Sequence, residues 1–261
     1  MNTLRAADVK AEIEGRLLAV EREEGVRLLL CVESGSRAWG FPSPDSDYDV
    51  RFVYVRARDA YLGLRAPRDV IERPILDDID LNGWDLRKLL ALMLKSNATV
   101  SEWLASPIRY RADDPVMARV AALADRLFEP RGVARHYASL CRNALDRWPE
   151  PGAAMGVKRY FYALRPALAL RALRRDPTRR PPMDLASLLV RAGLGASLES
   201  QIAELVAIKT QTREAGPVAR YPELDALIRG ELAQAGAIPE RPLPGDAEQS
   251  AETLLLDCVN T

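Results

Sequence analysis

The stretch ESGSRAWGFPSPDSDYDVR, residues 33–51, decides the fold. It follows VRLLLCV at 26–32, a short apolar run with β-branched ends that reads as a buried strand. Gly35-Ser36 stands where that strand ends, and a loop rich in Gly, Ser, Pro and Asp carries the chain to residue 46. DYDVRFVYV at 47–55 has the β-branched and aromatic content of a second strand. Side chains alternate faces along a strand, so Asp47 and Asp49 point one way and Tyr48 the other. Two carboxylates about 7 Å apart along a strand repel each other unless a cation lies between them, and a divalent metal is the natural choice. Gly35 permits close backbone approach to a phosphate, while the Ser36 amide and hydroxyl can donate to its oxygens. A lone Asp-x-Asp is a weak signal, since acidic pairs are common at turns. A strand-end Gly-Ser followed eleven residues later by Asp-x-Asp is far more specific, and places a metal-bound triphosphate at the ends of two strands.

Nucleotidyl transfer demands positioning and charge neutralisation, which two metal ions supply together when a third carboxylate completes their cage. Asp80, on a short strand expected at 78–81, is the candidate. Asp78 shares its face by alternation and is the rival, while Asp77 faces away. Asn82-Gly83 reads as the turn that ends this strand, and 70–75 as a third strand weakened by Pro74.

Outward from this centre, Val9, Ile13, Leu17 and Val20 predict a helix over 6–24, stopped at Gly25. From Asp85 the period changes to that of helices, expected at 85–96, 99–104, 116–128, 133–148, 156–175, 183–193, 198–213, 222–234 and 247–257. Turns are expected at 148–152 and 176–182, both rich in Pro and Arg. The reading is α/β, with a mixed portion over 1–110 followed by an all-α portion over 111–261.

Composition narrows the chemistry. The chain holds one histidine, His136, so no multi-histidine metal site can form, and acid–base work falls to carboxylates, which favour hard cations. His136 itself reads as a helix-surface or core residue. Cys31, Cys141 and Cys258 are scattered and odd in number, which argues against a disulfide framework or a zinc knuckle. No apolar run is long enough to span a bilayer and the N-terminus has no signal-peptide pattern, so a cytoplasmic protein is expected. The net charge of zero hides an imbalance: residues 131–180 carry twelve basic against three acidic residues, +9, leaving −9 elsewhere. A basic middle suits a polyanion such as NTP or RNA, and equally suits helices with solvated arginine faces.

Gly35-Ser36, Asp47-x-Asp49 and a later strand aspartate resemble the signature of the DNA polymerase β nucleotidyltransferase superfamily. GSRAWGFPSPDSDYDVRFVYV, DLNGWDLRKLLALMLKSNATVSEWLASPI and KRYFYALRPALALR are similar to one branch of it, the RNA repair pathway DNA polymerase beta family. The resemblance spans residues 27–171. It implies a nucleotidyltransferase palm with a mixed β-sheet and a helical C-terminal partner. It implies Asp47 and Asp49 as shared metal ligands, Asp80 as the third carboxylate near the attacking hydroxyl, and two Mg²⁺ ions, with Mn²⁺ as the alternative. The substrate expected is an NTP, ATP foremost, and the acceptor an RNA end. Rival readings are a protein-adenylylating, antitoxin-like enzyme, a small-molecule nucleotidyltransferase, a nucleotide-binding regulatory module without turnover, and a non-catalytic scaffold with an acidic rim.

Further nucleotide-binding candidates are Arg37, beside the Gly-Ser, and Lys158, Tyr162 and Arg165, a cation–aromatic–cation stripe at helical spacing. Phe161 and Leu164 form a second stripe on that helix. Arg51 is read as a structural partner for an aspartate, and Lys95-Ser96-Asn97 as a helix C-terminus with a minor nucleotide-binding reading. Trp39 is the tryptophan best placed to stack a base.

Overall fold

The computed structural model describes residues 6–150, 153–211 and 217–260. Helix α1, Ala6–Glu24, buries Ile13, Leu17 and Val20 and ends at Gly25, whose φ of 60° suits glycine. Strand β1, Val26–Glu33, pairs antiparallel with β2, Tyr48–Arg56. Between them lies α2, Ser36–Trp39, one helical turn where the sequence reads as irregular loop; Gly40, at φ 92°, closes it. After α3, Arg58–Leu62, come β3, Val70–Glu72, and β4, Ile79–Asp85. The sheet order is β1-β2-β4-β3, with β4 parallel to β2 and antiparallel to β3, a mixed sheet as expected.

Asn82-Gly83 does not turn the chain: β4 runs straight through it to Asp85. Gly83 is small for another reason. It lies opposite Phe52 on β2, and an added Cβ would overlap the phenyl ring. Asp85 then caps α4, Leu86–Leu94, accepting from the Arg87 amide at 2.8 Å. Asn97 acts on the following helix rather than the preceding one, capping α5, Ala98–Ala105, by accepting from the Thr99 amide at 2.9 Å. Ser96, at φ 54°, makes the reversal between the two helices.

The helices that follow are α6, Val116–Arg126; α7, Pro130–Leu145; α8, Val157–Arg175; α9, Leu185–Ala192; α10, Ala196–Gln211; α11, Pro222–Gln234; and α12, Ala247–Val259. This half is not purely helical, because β5, Met155–Gly156, pairs with β6, Pro217–Val218. The packing also departs from a division at residue 110. One face of the sheet packs on α1, and the other packs on α4, α5 and α6 together with Ala247, Ala251, Leu254 and Cys258 of α12. The third core gathers α7 to α11 around α8, whose Tyr160, Ala163, Leu164, Ala167 and Leu168 are fully buried. Phe41, from the loop after α2, stacks on Phe161 of α8 with ring centroids 4.3 Å apart. That contact sets the N-terminal turns of α8 above the ends of β1 and β2. The three cysteines are buried and none is in a disulfide among the described residues, and no helix among those residues is long and apolar enough to cross a membrane.

Glu231 of α11 is buried, with its carboxylate accepting from Arg171 Nη1 at 2.8 Å and from Arg174 Nη2 and Nε at 2.8 and 3.0 Å. Burial pushes its pKa up, but the bonds from Arg174 and Arg171 outweigh that and hold it below the usual glutamate value. The stabilisation is therefore present above the unfolded-state value and is lost as pH falls through the folded one. Glu231→Gln is expected to cost about 2 kcal/mol at neutral pH. Urea unfolding should show the gap between the two proteins closing as the solution is acidified.

Candidate active site

The site begins with a buried carboxylate that sequence reading passed over. Glu33, the last residue of β1, is fully buried. Its Oε1 accepts from the amides of both Gly35 and Asp49 at 3.0 Å, and its Oε2 accepts from Tyr110 Oη at 2.5 Å. One side chain thus ties the Gly-Ser turn to the strand that carries the aspartates. Burial, first of all, raises its pKa, with these donors opposing. Ser34 adds a second tie, its amide donating to the Asp49 carbonyl at 2.9 Å. Gly35 packs so closely on the Asp49 carboxylate that a Cβ there would overlap it. The glycine is required by this contact as well as by any phosphate.

In β2–β4 register Asp49 lies directly opposite Asp80. This separates Asp80 from its rival: Asp78 sits before the strand at φ 59°, where alternation no longer applies. Asp77, at φ 52°, pairs with Arg16 of α1 at 2.7 Å. Asp47 immediately precedes β2 and stands exposed at the mouth of the cleft. Arg51 Nη2 bridges the strand pair, 3.1 Å from Asp49 Oδ1 and 2.8 Å from Asp80 Oδ2. The Asp49 pKa is raised, by burial above all; Arg51 opposes this, and Asp80 and Asp47 add to it. Three carboxylates, those of Asp47, Asp49 and Asp80, thus interact here.

Among the described residues no three His, Cys, Asp or Glu side chains are gathered tightly enough to hold a metal as they stand. The Arg51 guanidinium stands between Asp49 and Asp80. A cation already occupies the point on which these two carboxylates converge, and their oxygens are the donors that hard divalent ions prefer. The residues fit such an ion in chemistry, with Arg51 as its stand-in.

Facing these strands is a cleft of about 560 Å³. Its walls include Gly35, Ser36, Asp47 and Asp49 on the sheet side, and Lys158, Tyr162 and Lys209 on the helical side. Ser36 and Ser43 both hydrogen-bond Ser46, with Oγ–Oγ distances of 3.0 and 2.8 Å, giving a patch of hydroxyls beside the glycine. Carboxylates at one end, hydroxyls and an amide turn at the other, and two lysines above make a cradle for a metal-bound polyphosphate.

A sequence profile of the RNA repair pathway DNA polymerase beta family matches residues 9–257, nearly the whole chain. The chain belongs to this family. Membership implies nucleotidyl transfer of the DNA polymerase β kind in an RNA repair setting. The chain is also 38% identical over 224 residues to the uncharacterized protein YcgL of Bacillus subtilis (strain 168), covering 86% of this chain and 85% of that protein. The match to the RNA repair pathway family extends well past residue 171, where the resemblance read from the sequence stops.

Several residues expected in the nucleotide site of this family member lie elsewhere. Arg37 does not line the cleft: it donates to the carbonyls of Ser46 at 2.7 Å and Asp47 at 3.2 Å, and its guanidinium lies 3.7 Å from the Tyr48 ring centroid. Its contacts brace the loop that presents Asp47. Arg165 leaves the stripe of Lys158 and Tyr162 for the interior, pairing with Glu102 at 3.0 Å, with the Met183 carbonyl and with the face of Trp39. Half-buried Glu102 needs that charge, so the arginine is held away from the phosphate cradle. Trp39 lines the cleft, but Arg165 covers one of its faces. Lys95, Ser96 and Asn97 do not line the cleft, and His136 is half-buried, burial lowering its pKa.

Lys209 is the notable omission from sequence reading. It sits in α10, almost wholly buried, yet forms part of the cleft wall, with Nζ donating to the Phe41 carbonyl at 2.9 Å. Burial, then Lys158 nearby, lowers its pKa. A lysine among apolar residues late in a helix was the available signal, but nothing local said which segment it would meet.

Proposed function

We propose that this protein transfers a nucleoside monophosphate from an NTP, with ATP as the leading donor, to a hydroxyl of RNA and releases pyrophosphate. The observation that carries this reading is Asp49 opposite Asp80 on paired parallel strands, with Asp47 at the mouth and Gly35-Ser36 locked beside them by Glu33. Asp47, Asp49 and Asp80 would hold Mg²⁺, which when bound neutralises phosphate charge and makes the acceptor hydroxyl a better nucleophile. The hydroxyl oxygen attacks the α-phosphorus, the bond from that phosphorus to the β-bridging oxygen breaks, and pyrophosphate leaves. The hydroxyl proton passes toward Asp80. The Ser36, Ser43 and Ser46 hydroxyls with Lys158 and Lys209 would grip the β- and γ-phosphates, lowering the cost of charge on the leaving group. RNA as acceptor draws support from the family's repair setting.

The test is incubation of the protein with Mg²⁺, each α-³²P-labelled NTP in turn, and total cellular RNA, beside an Asp47→Ala/Asp49→Ala variant. Label in RNA with wild type alone is the expected result. Label in the protein itself would replace RNA by a polypeptide acceptor. No label, with Mg-NTP still bound, would leave a regulatory nucleotide-binding module.

A further inference from the structure

A second cavity, of about 760 Å³, adjoins the cleft and is not used by the phosphate cradle. Trp39, Phe161 and Tyr162 belong to the walls of both, so Tyr162 is a ridge between them. Its ring meets Trp39 edge-on, with centroids 6.4 Å apart, and it remains 46% exposed. The groove runs between α7 and α8. Leu140 and Ala144 of α7 and Pro166 of α8 supply apolar floor, and Leu140 is 44% exposed although it is an aliphatic side chain.

The charges on this groove are distributed unequally. Within the basic middle of the chain, Arg131, Arg165, Arg171, Arg174 and Arg180 are held in ion pairs at 3.0 Å or less. Arg147, just past α7, and Arg159, on α8, are exposed, line the groove and make no ion pair among the described residues. The single acidic wall residue, Glu102, is already neutralised by Arg165. The groove thus offers two exposed guanidinium groups without an ion pair among the described residues, an exposed aromatic ring and an apolar floor. Guanidinium groups for phosphates and flat rings for bases are what a single nucleic-acid strand requires.

We propose that this groove binds a single-stranded segment of the RNA acceptor, with Arg147 and Arg159 on its phosphates and a base against Tyr162. The proposal rests on RNA being the acceptor. It gives a role to two exposed arginines that make no ion pair among the described residues and line a groove sharing Trp39, Phe161 and Tyr162 with the cleft. A polypeptide occupant is disfavoured, because the exposed wall charges are all positive while the contact surface otherwise suits flat rings.

The test uses the full chain, a short 5′-fluorescein-labelled single-stranded RNA, and Mg-ATP. For Arg147→Glu/Arg159→Glu, fluorescence anisotropy should show RNA affinity falling at least about tenfold, and the slope of log affinity against log salt shrinking by about two. Mg-ATP affinity should stay within about twofold of wild type, since neither arginine touches the cradle. Arg147→Gln/Arg159→Gln, which only removes charge, should lose RNA affinity in the same direction, and decides the matter should the Glu variant lose its fold. Unchanged RNA affinity in a folded variant overturns the groove proposal while leaving nucleotidyl transfer to RNA intact. Weakened Mg-ATP binding with unchanged RNA binding overturns it too, making the groove part of the nucleotide site. A wild-type protein that binds Mg-ATP but no RNA overturns both the groove and the RNA acceptor.

Discussion

Asp49→Asn is expected to lower the proposed nucleotidyl transfer by about 10³-fold while the protein keeps its fold. Asparagine has nearly the shape of aspartate and can still accept from Arg51, whose other bond, to Asp80 Oδ2, is untouched. The backbone amide of residue 49 still donates to Glu33, so the Gly-Ser turn keeps its tie to β2. What disappears is one negative charge from the place where Asp47, Asp49 and Asp80 concentrate it. In the proposed reaction that charge holds the cation which balances the polyphosphate, and its loss weakens stabilisation of the transition state specifically. Label transfer under single-turnover conditions, compared with thermal unfolding of the same preparation, separates the two effects. Transfer at the wild-type rate would remove Asp49 from the mechanism.

Gly83→Ala is the substitution expected to cost most stability, about 3 kcal/mol. Gly83 lies inside the sheet on β4, flanked by β2 and β3. The added methyl group would fall on the Phe52 ring, which is fully buried, and close-packed interiors leave little room for a ring to swing. Phe52→Leu made together with Gly83→Ala should recover part of the loss, because the two sites compete for the same space. Urea unfolding of both single variants and the pair checks this. Additive losses would mean that the strands move apart instead. Since Asp80 lies three residues before Gly83 on β4, such a movement would also disturb its register with Asp49.

Sequence reading failed at Asn82-Gly83 for the same reason that Gly83 matters. The dipeptide has turn chemistry when judged locally, but a ring contributed by another strand is what demands the glycine. Asn97 misled in a similar way, because a residue between two helices can cap either one, and only the geometry of the reversal at Ser96 assigns it. Arg165 was placed on a binding stripe by spacing alone. Helical periodicity shows which residues share a face, but not whether a half-buried carboxylate such as Glu102 lies opposite.

By itself the sequence determined the strand–turn–strand that carries Gly35, Ser36, Asp47 and Asp49, the mixed α/β character of the first half, and most helix spans. These depend on local periodicity, turn chemistry and capping, which act over a few residues and so are written in adjacent letters. Only the tertiary structure decided that Asp80 rather than Asp78 faces Asp49, that Arg51 bridges them, and that Glu33 locks the turn. It also brought Lys209 into the cleft, returned α12 to the sheet, and left Arg147 and Arg159 without an ion pair among the described residues along a groove. Each of these requires segments far apart in the chain to meet. Apolar burial drives such meetings, and being non-directional it leaves no local mark naming the partner.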